Sequence, residues 1–170
     1  MRHTSLSTRR MIFVAVIALA LAFAGKHPAH AADTPHSAQN HAAMASLKDV
    51  LAKLGKPHLD GDKLAFGSTT INGTTEIVDG IKAQHHCSAT VFAKKGGAFI
   101  RISTNVMKDG VRAVGTPLDP SGPAFAAVSK GQSFYGIVDI LDKLYDTGYE
   151  PIKSASGDVI GVYYVGSVLE

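Results

Sequence analysis

The sequence contains a single cysteine and none of the compact patterns that mark common catalytic or metal sites. Cys87 cannot form an internal disulfide, and its apolar, strand-like surroundings predict a buried, inert thiol rather than one that pairs with another chain. No CxxC, HExxH or GxSxG pattern and no glycine-rich phosphate loop occurs. The run His85-His86-Cys87 is a poor metal site, because adjacent side chains do not converge on one ion. We therefore expect no metal ion, no cofactor and no enzymatic activity.

The chain also lacks a long apolar run outside its first 31 residues. Met11–Gly25 is uncharged, but at 1.5 Å per residue it reaches about 22 Å, short of the ~30 Å hydrocarbon core of a membrane. Arginines precede this run and small residues follow it, at Arg2, Arg9, Arg10, Ala29 and Ala31. This order is typical of a secretory signal peptide, so we predict one over residues 1–31, cleaved after Ala31. The paired arginines leave both the general and the twin-arginine export routes open.

Neither sign of charge is in excess once this segment is removed. Four of the 17 basic residues and none of the 14 acidic residues lie in residues 1–31, which leaves 13 basic against 14 acidic residues, a net charge of −1. A near-neutral surface gives no reason to expect nucleic acid or an anionic membrane as a partner. The mature chain is predicted to be periplasmic or secreted, without a membrane span.

After residue 31 the sequence indicates one α+β domain. The small, polar stretch 32–42 predicts a flexible leader, and the domain is predicted over residues 43–170. Ser46 and Asp49 resemble a helix-capping pair at the start of the first helix. That helix is indicated by apolar residues at helical spacing, Leu47, Val50, Leu51 and Leu54.

The elements that follow are predicted in the order strand, helix, strand, strand, helix, strand, strand, strand. Gly96-Gly97 indicates a tight hairpin between two of the strands. Ser121 and Pro123 indicate the start of a small helix, as its cap and its first turn. Sequential strands joined by tight turns predict an antiparallel sheet with helices packed on its faces.

Three blocks carry a resemblance to a known family: KLAFGSTTINGTTEIVDGIK, ATVFAKKGGAFIRISTNVMKDGVRAVGTPLDPSGPAF and GQSFYGIVDILDKLYDTGYEPIKSASGDVIGVYYVG. In this order they resemble Cache domains of the single Cache 3/Cache 2 fusion type, over roughly residues 59–166. The resemblance implies a PAS-like fold, a curved antiparallel sheet of about five to six strands whose concave side holds a small molecule. It also implies an extracytoplasmic sensor, as found in chemotaxis receptors, histidine kinases and cyclic-nucleotide enzymes.

Receptors of this family carry membrane segments on both sides of the sensor, and this sequence indicates neither. We therefore expect a free-standing exported module that binds a small organic acid or related metabolite. It would act in signal transduction through a separate membrane receptor or histidine kinase, and it could form a homodimer. The alternative is a protein-interaction module that dimerises or associates with a receptor without a small ligand.

Strand alternation indicates which side chains could hold the ligand. In AFIRISTNV it places Arg101 and Ser103 on one face, together with Phe99 and Asn105. A guanidinium can bind a carboxylate with two hydrogen bonds. The resemblance implies a basic or polar residue in this part of the sheet for organic acids or amino acids. The commoner alternative is an arginine on the solvated outer face.

Three tyrosines on the last strands complete the predicted site. Tyr135 shares a face with Ile137 and Asp139, and Tyr145 shares one with Tyr149. An apolar ring with one hydroxyl can line a pocket and orient a ligand. The alternative is that Tyr145 and Tyr149 pack within the sheet, with their hydroxyls at its rim.

Overall fold

A five-stranded antiparallel sheet forms the centre of the domain. The computed structural model describes residues 34–169, so the predicted signal peptide lies outside the described residues. The elements are α1 (Ser37–Ala52), β1 (Pro57–Asp60), β2 (Lys63–Phe66), β3 (Thr69–Thr70), α2 (Glu76–His85), β4 (Ser88–Lys95), β5 (Ala98–Thr104), β6 (Met107–Lys108), β7 (Val111–Arg112), α3 (Pro123–Val128), β8 (Phe134–Asp139), β9 (Leu144–Lys153) and β10 (Val159–Val168).

The main sheet has the strand order β5-β4-β10-β9-β8, and all four strand pairs are antiparallel. Strands β8, β9 and β10 follow one another as a meander. The hairpin β4–β5, which turns at Gly96-Gly97 as predicted, docks its first strand against β10. Strands β1 to β3 form a separate small sheet, and β6 and β7 form a short ribbon. The predicted α+β class and antiparallel sheet are confirmed.

Strand β10 is the central strand and is buried on both faces. Its alternation sends Tyr163 and Val165 into one core and Val162 and Tyr164 into another. We call the first the helix-side core, because α1 and α2 supply much of it: Ala43, Met44, Leu47, Leu51, Val78 and Ile81. We call the second the α3-side core, and it includes Phe92, Phe99, Leu118, Ala124, Val128, Ile140 and Tyr149.

Helix α1 begins earlier than predicted. Residues 37–42 are its first turns rather than a flexible leader. Buried Asp146 of β9 accepts a hydrogen bond from the His36 backbone nitrogen through Oδ2 at 2.7 Å, and Asn40 Nδ2 donates to the Asp146 carbonyl oxygen at 2.9 Å. A carboxylate beside a helix N-terminus stabilises the helix. Because these partners lie more than 100 residues away, the local sequence pattern could not place the start of the helix.

The predicted capping pair is also wrong, because Ser46 and Asp49 lie inside α1. Ser46 Oγ is 2.9 Å from His85 Nε2 and so links α1 to the end of α2. Asp49 forms an exposed ion pair with Lys53, one helical turn later. The apolar spacing was nevertheless informative, since Leu47 and Leu51 are fully buried in the helix-side core.

Cys87 is buried in the helix-side core, as predicted. Burial raises the pKa of its thiol to about 11. The thiolate, which is the reactive form, is therefore scarce at neutral pH.

Among residues 34–169, no helix is both long and apolar enough to cross a membrane.

The segment that follows α1 touches the turn between β2 and β3 at two glycines. The backbones of Gly55 and Gly67 lie so close that a Cβ on either would overlap the other segment, and a Cβ on Gly67 would strike the Leu54 carbonyl oxygen. Gly67 also has φ +57°, which disfavours any side chain. This contact holds the small sheet against the segment that follows α1.

Gly67→Ala should therefore destabilise the protein through two effects, its positive φ and the collision with Leu54. Gly61→Ala is the matched control, because Gly61 has φ +56° and a Cβ there meets nothing within 4 Å. We expect the control to lose about 1 kcal/mol of unfolding free energy and Gly67→Ala at least ~2 kcal/mol more in urea titrations. Equal losses would show that the close approach contributes nothing.

Candidate functional site

A cavity of about 380 Å³ opens on the α3 side of the sheet. Its walls come from β5, the segment 117–119, the start of α3, the end of β8 with the turn that follows, and β9. Most of the lining is apolar, with Pro117, Leu118, Ala124, Val138, Ile140 and Leu141. The volume lies in the range of pockets that hold small metabolites.

Arg101 is the cation of this cavity. It lies opposite Phe92 of β4 in the sheet register, and its guanidinium carbon is 5.0 Å from the centre of the Phe92 ring. Nη1 donates to Thr116 Oγ1 at 2.7 Å and, at 3.4 Å, to the Pro117 carbonyl oxygen. These contacts hold the guanidinium at the cavity wall. The alternative of a solvated outer-face arginine is wrong, because Arg101 is only 5% exposed.

The charge of Arg101 is not neutralised within the described part of the chain. No Asp or Glu of residues 34–169 forms an ion pair with it, and its Nε is buried without a hydrogen-bond partner. Burial lowers the pKa of Arg101, although a guanidinium still remains protonated. A buried charge without a counter-ion is costly, so an anion in this cavity would gain strong electrostatic stabilisation.

Tyr149 is the one predicted tyrosine that lines the cavity with Arg101. It lies opposite Tyr164 in the register, and the two ring centres are 4.9 Å apart. Burial raises the pKa of the Tyr149 hydroxyl, and the nearby Arg101 charge acts in the opposite direction. The hydroxyl therefore stays protonated and can donate a hydrogen bond at neutral pH.

Ser103 does not share the face of Arg101, contrary to the prediction. The pairing of β4 with β5 shifts between Val91 and Phe92, so Ile102 is an extra residue in β5. This β-bulge breaks the alternation on which the prediction depended. Ser103 is buried on the other face and donates from Oγ to the Thr74 carbonyl oxygen at 2.6 Å.

Tyr135 also lies on the wrong face for the cavity. Its ring stacks on His41 of α1 with centres 4.0 Å apart, and its hydroxyl donates to Glu150 Oε1 at 2.8 Å. The ring crosses Gly148 on the neighbouring strand, where any Cβ would collide with it. Gly148, which lies opposite Tyr135 in β9, therefore leaves space for the Tyr135 ring beneath α1.

Tyr145 lies on the α3 side, as its shared face with Tyr149 predicted, and packs against the α3-side core. It is not among the residues that line the cavity. The structure thus brings Arg101 and Tyr149 together and separates Ser103, Tyr135 and Tyr145 from them. The position of Tyr145 agrees with the alternative interpretation, in which its ring packs within the sheet.

Two cavity residues, Asp119 and Asp139, were not predicted as ligand residues. Asp119 lies in the segment before α3, and its Oδ1 accepts hydrogen bonds from the Ser121 backbone nitrogen and Oγ, at 2.9 and 2.7 Å. Gly122, not Ser121, is consequently the N-cap of α3. The length of the loop VGTPLDPSGP was the available signal, since long loops commonly carry functional residues.

The histidines do not assemble a metal site in the described part of the chain. Five of them follow the predicted cleavage site, His36, His41, His58, His85 and His86. Among residues 34–169, no three His, Cys, Asp or Glu side chains are placed to hold one ion.

A model of a known protein family covers most of the chain. The family model of the Cache 3/Cache 2 fusion domain matches residues 36–169. The match includes α1 to β10 and therefore every residue that lines the cavity. No protein with a curated description matches the chain.

The unpaired charge of Arg101 predicts an unusual effect on stability. Arg101→Met should leave the thermal midpoint of the ligand-free protein unchanged or raise it, because an apolar side chain of similar length replaces an uncompensated buried charge. Arg112→Met is the control. Arg112 binds both Asp79 carboxylate oxygens at 2.8–2.9 Å and the Thr104 carbonyl oxygen at 2.8 Å, so its loss should cost about 1 kcal/mol. A larger loss for Arg101→Met than for Arg112→Met, by calorimetry, would contradict this account.

Proposed function

Because the chain belongs to the Cache 3/Cache 2 fusion domain family, whose members are generally extracellular sensor modules, we propose that it binds a small organic acid beside Arg101. The bound state would then be passed to a membrane receptor or histidine kinase. The single observation that carries the proposal is a buried guanidinium at the wall of a mostly apolar cavity, with no counter-ion among residues 34–169.

A carboxylate would supply a counter-ion for the Arg101 guanidinium. Arg101 has donor capacity beyond the bonds from Nη1 to Thr116 and Pro117, and its Nε has no hydrogen-bond partner in the described part of the chain. Hydrogen bonds between a guanidinium and a carboxylate are about twice as strong as neutral ones. The Tyr149 hydroxyl offers a further donor in the same cavity. The apolar lining would exclude water and strengthen these contacts.

A structural connection leads from Arg101 towards the helices. The outer edge of β5 is hydrogen-bonded to the segment 115–118, through Arg101 N to the Thr116 carbonyl oxygen and Gly115 N to the Arg101 carbonyl oxygen. Just before this segment, Arg112 binds Asp79 of α2. A ligand that moved the Arg101 guanidinium would therefore disturb a segment attached to α2. We propose this as the route by which occupancy reaches the helical face.

Export is part of the proposal. The basic, apolar and small-residue order of residues 2–31 supports a signal peptide, and extracytoplasmic action is the general rule of the family. A periplasmic or secreted position would expose the cavity to metabolites outside the cytoplasm.

The proposal predicts ligand-dependent stabilisation that requires Arg101. Thermal-shift screening of the purified protein against mono-, di- and tricarboxylates and amino acids should give a carboxylate hit, with its Kd then measured by calorimetry. Arg101→Met should weaken that hit about 10- to 100-fold, the equivalent of a lost charge-assisted hydrogen bond. Lys95→Met should retain the affinity, because Lys95 pairs with Asp62 at the surface and does not line the cavity.

Two results would overturn the proposal. One is a carboxylate hit whose affinity is the same with Arg101→Met, which would place binding elsewhere. The other is no hit in the whole panel together with an empty cavity in mass spectra of protein purified from the periplasm. That second result would favour the protein-interaction module, which co-purification of a receptor would then support.

A further inference from the structure

The two edge strands of the main sheet differ in how their outer edges are covered. Strand β5 is bonded along its outer edge to the chain's own segment 115–118, with hydrogen bonds from Arg101 N, Gly115 N and Leu118 N. Strand β8, at the opposite end of the sheet, has no strand beside it in the described chain. An uncovered edge presents unpaired backbone groups to other chains.

The turn after β8 shows which backbone groups of this strand point outward. Ile140 and Lys143 exchange both backbone hydrogen bonds, so they form a hydrogen-bonded pair. The pairing of β8 with β9 continues from there without a register shift. Because hydrogen-bonded and non-hydrogen-bonded pairs alternate, Tyr135, Ile137 and Asp139 direct their N–H and C=O groups away from β9. None of these groups has a hydrogen-bond partner among residues 34–169.

Strand β8 also lacks the features that usually protect an exposed edge. Its sequence, FYGIVD, contains no lysine and no proline, and its pairing with β9 has no bulge. The side chain of Ile137 is 48% exposed, whereas the Tyr135 ring lies over Gly148 of β9 and so leaves the edge open. An apolar, unprotected edge of this kind is suited to pairing with another strand.

We propose that β8 pairs antiparallel with β8 of a second copy of this chain, with Ile137 at the two-fold axis. The two main sheets would then join into one sheet of ten strands. The sequence left a homodimer open and did not indicate which surface would form it.

The strand is self-complementary in this register. Ile137 lies opposite Ile137 of the second copy, and Tyr135 of each copy lies opposite Asp139 of the other. These are the residues whose backbone groups point outward, so all of them form hydrogen-bonded pairs. A shift of two residues in either direction would reduce the three pairs within the strands to two. The two Ile137 side chains would also shield each other from water.

The charges at the two ends of β8 favour the antiparallel arrangement. Lys130 precedes the strand, and the Lys153 ammonium group lies beside the turn that leads into it. The other end carries Asp139, Asp142 and Lys143, a net negative charge. None of the five forms an ion pair within residues 34–169. An antiparallel copy brings the acidic end of each strand to the basic end of the other, whereas a parallel copy would bring like charges together.

The length of the contact determines how strong the dimer should be. Five paired residues span about 17 Å, so the buried area falls well below the ~1,200 Å² of standard interfaces. We therefore expect a reversible dimer with a Kd of about 10–100 µM rather than a permanent one.

Sedimentation velocity of the purified protein tests the dimer. At total concentrations of about 5–500 µM, without added ligand, it should show a monomer–dimer equilibrium. Because opposite charges meet at both ends of the contact, the dimer Kd should rise at least about threefold between about 50 and 500 mM salt.

A charged side chain at the two-fold axis tests the position of the contact. Ile137→Lys should raise the dimer Kd at least about tenfold, because it places two ammonium groups at the axis. Val168→Lys is the matched control, since Val168 is 49% exposed but lies in β10, two strands away from the edge. It should leave the dimer Kd unchanged. Equal thermal midpoints of the two variants would show that Ile137→Lys acts on association and not on folding.

Introduced thiols test the register without relying on that variant. Ile137→Cys places two thiols at the axis, with Cα atoms about 5.5 Å apart, a separation that a disulfide spans. Asp139→Cys is the control, because its two copies would be about 14 Å apart. Cys87 is buried and does not compete. Under mild oxidation, Ile137→Cys should form linked dimers at least about tenfold faster than Asp139→Cys.

Three results would overturn the proposal. One is a protein that stays monomeric over the whole concentration range. Another is a dimer whose Kd is the same with Ile137→Lys, which would place the contact on another surface, such as the helical face. The third is equal cross-linking of Ile137→Cys and Asp139→Cys. The organic-acid function is decided separately, because these measurements contain no ligand and the ligand screen depends on Arg101.

Discussion

The domain depends on β10, a strand that is hydrogen-bonded along both edges and buried on both faces. Because successive side chains point to opposite faces, a slip of one residue would exchange the contents of the two cores. Tyr163 faces α1 and α2, whereas Tyr164 packs on Tyr149 beside the cavity. The register of this one strand therefore determines both the packing of the helices and the composition of the site.

The two faces of the sheet are covered unequally, and the cavity follows from that difference. The helix side is covered by a helix of 16 residues and one of 10, which pack across the last two strands and across β4 and β5. The other side has α3, of 6 residues, and an irregular segment before it. One short helix cannot cover five strands, since it is only about 9 Å long. Loops complete the wall and enclose a space that the side chains do not fill.

The bulge at Ile102 divides the polar residues of β5 between these two faces. Arg101 turns to the cavity, whereas Ser103 and Asn105 turn to α2 and its preceding loop, where they bond the Thr74 and Val78 carbonyl oxygens. Without the extra residue, the pleat would place Ser103 on the cavity face beside Arg101. The bulge thus removes Ser103 from that face and leaves Arg101 as the β5 side chain that lines the cavity, while Thr104 bonds Thr90 of the neighbouring strand.

Local patterns in the sequence were enough to predict much of the fold and part of the site. The Gly96-Gly97 hairpin and the class of the sheet follow from residues close in sequence, and so does the shared face of Tyr145 and Tyr149. Other outcomes depend on distant partners. Asp146 sets the start of α1, and Gly148 makes room for Tyr135 beneath that helix. The alternation of side chains along a strand predicts which residues share a face of the sheet, but it does not predict which face lines the cavity.

The energetic consequence of Arg101 also bears on why the site suits a sensor. An apo protein that holds an uncompensated buried charge gives up stability, and a bound anion restores it by neutralising that charge. At a ligand concentration of 100 Kd the gain is about 2.7 kcal/mol, a large share of the stability of a small domain. Because the guanidinium is bonded to Thr116 and Pro117, the binding proposed above would also act on the segment that leads to Arg112 and α2. A cavity that balanced its own charge would bind an acid with little change in this segment, whereas Arg101, which has no counter-ion among residues 34–169, would couple binding to the rest of the domain.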